Sequence, residues 1–396
     1  MLLQKFSDVA AIQSDLERVG IQPFGARIDS VESAAHGVVN GYNVIMAGSN
    51  NYLGLSLDSR CIEAALEGAR RWGTGTTGSR MANGTLAEHL DLEREFADLY
   101  GVESAIVFTT GYAATQGMCS TLVGPDDVIL LDADSHASIY AGAQSSGAQI
   151  VRFRHNDSAD LAKRLRRLGE RTARTLIVTE GLYSMLGDVA PLKDIVAAKR
   201  EYGGMLLVDE AHSLGVMGDQ GRGAAAAAGV EQDVDFVVGT FSKSLGATGG
   251  FCVSKHPELE SIRFAIRPYI FTASPPPSVI ASTRQALAIM RSEPELRDQL
   301  WRNAGRLYDS LGAMGFRLGP MASPVVAATV EDRDQSLQFW QRLLEAGVYV
   351  NLVVPPASPT VNSLLRCSLS AAHEDDDVDT IIGAFREAGK SLNMIA

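Results

Sequence analysis

Cysteine is scarce in this sequence, and so are long apolar runs. The four cysteines, Cys61, Cys119, Cys252 and Cys367, show no CxxC spacing. That pattern argues against a zinc site or a disulfide framework and fits a reducing cytosol. No apolar run approaches the roughly 20 residues that span a bilayer, and polar residues interrupt the first 16 residues, which therefore lack a signal-peptide core. We expect a cytoplasmic protein.

Positive charge is also in short supply. The chain has 35 Lys and Arg against 47 Asp and Glu, a net charge of -12, and its longest block of like charge is Glu374 to Asp377. An acidic surface repels phosphate backbones, so a nucleic-acid partner is excluded. With 46% apolar and 21% charged residues, the composition is that of a globular protein. The length of 396 residues favours one large α/β domain with an appendage.

Short apolar runs alternate with helical patterns between residues 104 and 254, which is typical of βαβ units and a mostly parallel sheet. Seven candidate strands lie at 104–108, 127–131, 149–153, 175–179, 204–209, 234–239 and 249–253. Helical patterns lie at 58–72, 86–100, 278–291, 294–314, 335–346 and 374–392, with three strands (SPVVAATV, GVYVN and LLRCSLS) among the last of them. We predict an N-terminal segment over 1–57, a large domain over 58–291 and a smaller α+β C-terminal domain over 292–396.

A glycine-rich segment at 73–78, GTGTTG, matches the dinucleotide-binding pattern G-x-G-x-x-G. That motif requires a preceding strand and a helix N-terminus that faces the pyrophosphate. The segment here follows IEAALEGARRW, a helical pattern. A Rossmann nucleotide site is therefore not expected.

The segment VDFVVGTFSKSLG, residues 234–246, takes a buried strand into a polar turn. Lys243 thus leaves the sheet at the carboxyl end of a strand, where ligands of open α/β sheets bind. An amine there can form a Schiff base with a carbonyl cofactor. The hydroxyls of Thr240, Ser242 and Ser244 suit a phosphate. A surface lysine in a loop is the alternative interpretation.

Another strand, GMLLVD, ends at Asp209, and His212 follows three residues later. A carboxylate at this place can hold a pyridine nitrogen protonated, which is how enzymes that use pyridoxal phosphate tune their cofactor. His212 could reach the phenolic oxygen of that ring. The competing interpretation, a metal site formed by Asp209, His212 and His136, lacks a supporting pair such as H-x-x-x-H.

Two further strand ends carry candidate groups. His136 follows the strand VILLD and could stack on a heteroaromatic ring; alternatively, Asp134 or Ser135 caps a helix whose first turn contains it. Gly111 and Tyr112 follow the strand SAIVF at a helix N-terminus, where backbone N–H groups can bind a phosphate. Each strand end thus offers one part of a pyridoxal phosphate site.

Together these motifs resemble the α-oxoamine synthases, a family of fold-type I pyridoxal phosphate enzymes that condense an amino acid with an acyl-CoA and release CO2. The resemblance covers nearly the whole chain, from SNNYLGL (49–55) to LLRCSLSAAHE (364–374). The segments TTGSRMANGT, RFRHN, EGLYSMLGD, RPYIFTASPPPS and VPPASP favour the branch of the family that joins L-serine to a long-chain acyl-CoA. For palmitoyl-CoA the product would be 3-ketosphinganine, the first intermediate of sphingolipid synthesis.

The resemblance also implies roles for particular residues. Lys243 would be the Schiff-base lysine and general base, Asp209 the partner of the pyridine nitrogen, and His136 the stacking residue. His212 would bind the ring oxygen. The remaining implied ligands are Gly111, Tyr112, Thr240, Ser242 and Thr272 of the partner subunit for the phosphate, and Asn51, Ser184 and Arg366 for the amino acid.

The resemblance implies a homodimer with shared active sites and at most peripheral membrane contact through residues 1–20. One position departs from the expected pattern, because Val354 stands where related enzymes often have arginine. Three alternatives stay open: a family member that joins alanine to pimeloyl-CoA, one that joins glycine to acetyl-CoA or succinyl-CoA, and a non-catalytic subunit. The last should have lost its lysine, but Lys243 lies in an intact motif.

Overall fold

The computed structural model describes residues 2–7, 16, 22–355 and 357–395. The chain forms two compact units. The larger comprises Asn50–Ser184 and Asp188–Leu300, and the smaller comprises the described residues up to Ser49, Met185–Gly187 and those from Trp301 onward. The domain boundaries predicted at 57/58 and 291/292 stay a prediction. The predicted membrane contact through residues 1–20 falls largely outside the described residues.

The strands of the described residues form three sheets. They are β1 Ile28–Val31, β2 His36–Val39, β3 Tyr42–Met46, β4 Ser104–Phe108, β5 Val128–Asp132, β6 Gln149–Phe153, β7 Thr175–Glu180, β8 Met205–Asp209, β9 Phe236–Thr240, β10 Gly250–Ser254, β11 Val325–Val330, β12 Val348–Tyr349, β13 Asn351–Val353 and β14 Ser363–Ser368.

The α-helices follow most strands of the large unit. They are α1 Ser59–Trp72, α2 Ala87–Tyr100, α3 Gly111–Leu122, α4 Ala137–Ser146, α5 Ser158–Leu168, α6 Leu192–Tyr202, α7 Ala224–Ala228, α8 Leu259–Ile262, α9 Arg267–Ile270, α10 Pro277–Ser292, α11 Glu295–Ala313, α12 Arg333–Glu345 and α13 Asp375–Ser391. Short 3₁₀ turns lie at Gln4–Phe6, Leu55–Leu57, Gly169–Arg174, Asp219–Gly221 and Glu231–Asp233.

The large unit is built on a seven-stranded sheet with the order β4-β10-β9-β8-β7-β5-β6. Strands β5 to β9 are parallel, and β10 pairs antiparallel with both β4 and β9. Most of these strands are buried along their whole length, as expected when helices cover both faces of a parallel sheet. The predicted seven-stranded, mostly parallel α/β sheet is confirmed, with each strand within two residues of its predicted position.

The topology determines where functional groups meet. In β9, β8, β7 and β5, which lie side by side, the last residues are Thr240, Asp209, Glu180 and Asp132. Because these strands are parallel, all four residues lie on one edge of the sheet.

The turn after β9 is supported from behind by a stack of phenylalanine rings. The Phe96 ring stacks on Phe251 with 4.2 Å between the centroids and on Phe241 with 5.4 Å. All three side chains are fully buried. Gly249 has φ +150° and passes so close that an added Cβ would lie 2.3 Å from the Phe241 ring. The stack therefore holds Phe241, and with it the turn that carries Lys243.

The small unit contains a four-stranded sheet with the order β1-β2-β3-β12 and a three-stranded antiparallel sheet with the order β11-β14-β13. The predicted α+β character of the C-terminal region is confirmed. GTGTTG begins directly after α1, so the helical pattern predicted before this segment is confirmed. The described residues contain no helix with the length and apolar character needed to cross a bilayer.

Candidate active site

A cavity of about 290 Å³ opens at the edge of the sheet where the parallel strands end. It brings together eight residues that the sequence predicted from separate segments: Gly111, Tyr112, His136, Asp209, His212, Thr240, Ser242 and Lys243. These segments are spread over more than 130 residues of sequence. Their convergence is a consequence of the parallel strands that precede them.

Lys243 follows β9 in the turn that the phenylalanine stack supports. Its side chain is half-buried and lines the cavity. Beside it, the Thr240 and Ser242 hydroxyl oxygens lie 2.8 Å apart, and the Ser242 N–H donates to Thr240 Oγ1. Ser244 was grouped with the hydroxyls that suit a phosphate. In the structure its buried hydroxyl donates to the Leu214 carbonyl oxygen at 2.6 Å.

Asp209 is the last residue of β8 and is buried. Its Oδ2 accepts a hydrogen bond from the Thr115 hydroxyl at 2.8 Å, and its Oδ1 accepts one from the Ala211 N–H at 2.9 Å. These two donors hold the carboxylate in a fixed orientation at the cavity. Thr115 lies one turn into α3, four residues after Gly111, which places both on the same face of the helix.

His212 is buried against Tyr52. The Tyr52 hydroxyl lies 2.7 Å from His212 Nδ1, and Tyr52 itself is fully buried. When the tyrosine donates to Nδ1, a neutral imidazole carries its proton on Nε2. That tautomer has an N–H to offer to a ligand oxygen. Tyr52 belongs to the segment SNNYLGL, where no pattern predicted a role for it.

His136 is itself the N-cap residue of α4, so the alternative in which Asp134 or Ser135 caps that helix is wrong. The Ser138 N–H donates to His136 Nδ1 at 3.2 Å, which leaves the proton of the neutral ring on Nε2. Burial lowers the pKa of His136, and Lys243 lowers it further, against the opposing effect of Asp209. The ring is therefore neutral near pH 7 and lies 6.4 Å from the Tyr112 ring, centroid to centroid.

A charged histidine supports the turn that leads to His136. His155 Nδ1 lies 2.8 Å from Asp132 Oδ1, and its Nε2 lies 2.6 Å from Asp188 Oδ2. Burial lowers the pKa of His155, but the hydrogen bonds to these two carboxylates outweigh it and raise the pKa to about 10. The Tyr183 ring packs edge-on against the imidazole at 4.5 Å. Asp132, held in this way, also accepts the Asp134 N–H.

We expect His155→Gln to lower the free energy of unfolding by about 2–4 kcal/mol at pH 7, since it leaves two buried carboxylates without their cation. The stabilisation from protonated His155 is complete below the unfolded pKa of about 6.5 and disappears as the pH rises to about 10. Urea unfolding at pH 6, 8 and 10 measures this difference. A gap between wild type and variant that stays constant with pH would contradict the assignment, and His256→Gln provides a histidine control outside this cluster.

The cavity offers one set of groups that suits an anion and another group that suits a cation. The N-terminus of α3 begins at Gly111, and Thr110 caps it by accepting the Ala113 N–H. A Cβ at Gly111 would lie 2.6 Å from the Thr240 side chain, so the backbone approaches closely only because no side chain is present. These amides and the neighbouring hydroxyls fit a phosphate. The Asp209 carboxylate fits a protonated ring nitrogen.

The remaining predicted residues do not line this cavity. Asn51 Nδ2 donates to the Ser56 hydroxyl, and Thr272 follows α9 as a half-buried residue. Arg366 lies on β14, the central strand of its sheet in the small unit, where it is buried and donates to the Ser368 hydroxyl at 2.9 Å. The substrate roles of Asn51, Ser184 and Arg366 and the phosphate role of Thr272 stay predictions.

Several lining residues were missed by the sequence analysis: Thr110, Thr115, Ser138, Glu180, Ala211, Thr248 and Gly249. The signal for Glu180 was present, because the strand TLIVTE ends in a carboxylate just as GMLLVD does. The competing interpretation, a metal site, gains no support from the structure. In the described part of the chain no group of three or more His, Cys, Asp or Glu side chains is arranged to hold a metal ion.

A lysine, a fixed carboxylate, two histidines and a set of phosphate-binding groups around one edge of this sheet define a pyridoxal phosphate-dependent enzyme of fold type I. The sequence model of the family described as aminotransferase class I and II matches residues 42–385. The chain belongs to this family and, within it, to the α-oxoamine synthases.

Individual relatives agree with this placement. The chain is 58% identical over 380 residues to a serine palmitoyltransferase of Caulobacter vibrioides, covering 96% of this chain and 94% of the relative. It is 40% identical over 361 residues to an 8-amino-7-oxononanoate synthase of Geobacter sulfurreducens, covering 90% and 92%. Among solved structures, a variant serine palmitoyltransferase of S. paucimobilis with a bound PLP–myriocin aldimine is 48% identical, has a TM-score of 0.97 and is covered over 100% of both chains.

Proposed function

We propose that this chain catalyses the serine palmitoyltransferase reaction: L-serine and palmitoyl-CoA give 3-ketosphinganine, CoA and CO2. The observation that carries the proposal is the convergence of Lys243, Asp209, His136 and His212 on one cavity. The high identity to a serine palmitoyltransferase over almost the full length of both chains supports this choice of substrates.

The cavity residues would hold pyridoxal phosphate in one orientation. The phosphate would bind the N-terminal amides of α3 and the hydroxyls of Thr240 and Ser242, and the ring nitrogen would face Asp209. His212 would donate from Nε2 to the ring oxygen. When bound, this cofactor supplies an electron-withdrawing ring that stabilises negative charge at the α-carbon of an amino acid.

The chain's own groups then direct the proton transfers. The amine of Lys243 would take the proton from the serine α-carbon. Asp209 would keep the proton on the ring nitrogen throughout. The neutral His136 ring, with its Nε2–H, would pack against the cofactor and donate to the substrate carboxylate or the thioester oxygen.

The bonds balance when one proton is taken up from water. The serine α-carbon loses its proton and forms a bond to the acyl carbonyl carbon, and CoA leaves as the thiol with that proton. The carboxylate then leaves as CO2, and the α-carbon takes up a proton from water. We further propose that Arg366 binds the serine carboxylate through its guanidinium fork, and that Asn51 and Ser184 complete the amino-acid pocket.

We also propose that the enzyme acts in the cytoplasm as a homodimer, with Thr272 of the partner subunit completing the phosphate site. Sedimentation equilibrium tests the dimer. Thr272→Val should weaken cofactor retention without changing the mass of the assembly, whereas unchanged retention would argue against the shared site.

A substrate panel tests the proposed reaction. Purified holoenzyme is given L-serine, L-alanine or glycine together with palmitoyl-CoA, pimeloyl-CoA, acetyl-CoA or succinyl-CoA, while CoA release and product mass are followed. We expect L-serine with palmitoyl-CoA to give the highest kcat/KM by at least about tenfold, because a pocket that hydrogen-bonds the serine hydroxyl loses that bond with alanine or glycine. A preference for alanine with pimeloyl-CoA, or for glycine with a short donor, would assign the chain to another branch of the family.

A further inference from the structure

Glu180 is a buried acid that lines the cavity, and the proposed reaction gives it no step. It ends β7, and in the parallel pairing of β7 with β8 it lies opposite Asp209. Paired residues of neighbouring parallel strands point to the same side of the sheet. Two carboxyl groups therefore stand next to each other at the cavity, although only Asp209 is needed to face a ring nitrogen.

The carboxyl group of Glu180 contacts the backbone of the stacking histidine. Its Oε1 accepts the N–H of His136 at 2.6 Å, across 44 residues of sequence. His136 is the N-cap of α4, so this N–H lies ahead of the helix and has no partner within it. The hydrogen bond thus ties the residue that carries the imidazole to the end of a fully buried strand.

We propose that Glu180 is a positioning residue that fixes the His136 ring over the cavity by accepting the His136 backbone N–H. This inference rests on the proposed function only for the role of His136 beside the cofactor. The contact itself is a property of the folded chain.

The surroundings of Glu180 agree with such a role. Burial raises the pKa of Glu180 well above its usual range, and the neighbouring Asp209 raises it further. Its Oε1 accepts the His136 N–H. A glutamine has the same shape and the same acceptor but cannot transfer a proton. Positioning and acid–base catalysis by Glu180 consequently predict opposite results for Glu180→Gln.

The experiment compares Glu180→Gln with Glu180→Met, which keeps the approximate volume and loses the acceptor. In holoenzyme we expect Glu180→Met to raise the hydrogen-exchange rate of the His136 amide, to raise the dissociation constant of pyridoxal phosphate, and to lower kcat, each by about tenfold or more. Glu180→Gln should stay within about threefold of wild type in all three measurements.

Glu210→Ala is the matched control. Glu210 is a buried carboxyl on the next strand end that accepts the N–H groups of Ala224 and Ala225 at the start of α7 and does not line the cavity. Its loss should lower stability but leave the exchange rate at His136 unchanged. Wild-type exchange and cofactor affinity in Glu180→Met would overturn the proposal, as would a Glu180→Gln variant as impaired as Glu180→Met. Because amide exchange involves neither substrate, a failed substrate panel would leave this result intact.

Discussion

Replacing Lys243 by alanine is expected to reduce turnover by at least about 10³-fold, because a single side chain supplies both the covalent attachment of the cofactor and the general base. Lys243 is the one lysine among the residues that line the cavity, so no second amine is placed to replace it there. The purified variant should also lose the visible absorbance of covalently held pyridoxal phosphate. Stopped assays of CoA release and an absorbance spectrum provide both measurements.

The fold of the Lys243→Ala variant should be intact, since the turn is held by the phenylalanine stack and by the hydrogen bond between the Phe241 N–H and the Gly249 carbonyl oxygen. Lys255→Ala is a suitable control, because Lys255 follows the far end of β10 and contacts the Gln232 carbonyl oxygen. Its activity should match wild type. Normal turnover in the Lys243→Ala variant would refute the assignment of the catalytic lysine.

Asp209→Asn is expected to retain the coloured cofactor but to lower kcat by about 100-fold or more. Asparagine keeps the size of aspartate and can still accept a hydrogen bond, but it has no negative charge to hold a proton on the ring nitrogen. The loss should appear in kcat and kcat/KM together, since the charge stabilises the reacting state rather than the bound substrate. Steady-state kinetics with both substrates and the spectrum of the purified variant measure these effects.

Thr115→Val tests the hydrogen bonding of the Asp209 carboxylate separately from its charge. It removes one hydrogen bond to Asp209 Oδ2 and leaves the charge in place, so kcat should fall by less than about tenfold. If Asp209→Asn and Thr115→Val had equal kinetics, the charge of Asp209 would have no role in the reaction.

The seven-stranded sheet could be predicted from the sequence because its strands are short apolar runs, each followed by polar residues. VILLD, TLIVTE and MLLVD are buried throughout or nearly so, which makes them visible without knowledge of their neighbours. The rule that parallel strands end at one edge then placed Lys243, Asp209 and His136 together. Strand β1 gave no such signal, because IDSV is exposed at every position and has no apolar pattern.

The contacts that orient the site residues could not be predicted from the sequence, because they join residues from distant segments. Tyr52 meets His212 across 160 residues, and Glu180 meets His136 across 44. His155 joins Asp132 to Asp188, and these three residues come from three separate segments. Such pairs depend on register and side-chain direction, which an isolated segment does not specify. The sequence thus predicts the groups that react but not those that hold them in place.

If the ends of these strands form a pyridoxal phosphate site, its covalent attachment point is Lys243. Treating the holoenzyme with borohydride makes the bond between cofactor and lysine permanent, and mass spectrometry of the tryptic peptides then locates it. We expect a single modified peptide, with the added mass on Lys243 in the segment GTFSKS. A modification on another lysine, or none in protein reconstituted with pyridoxal phosphate, would contradict it.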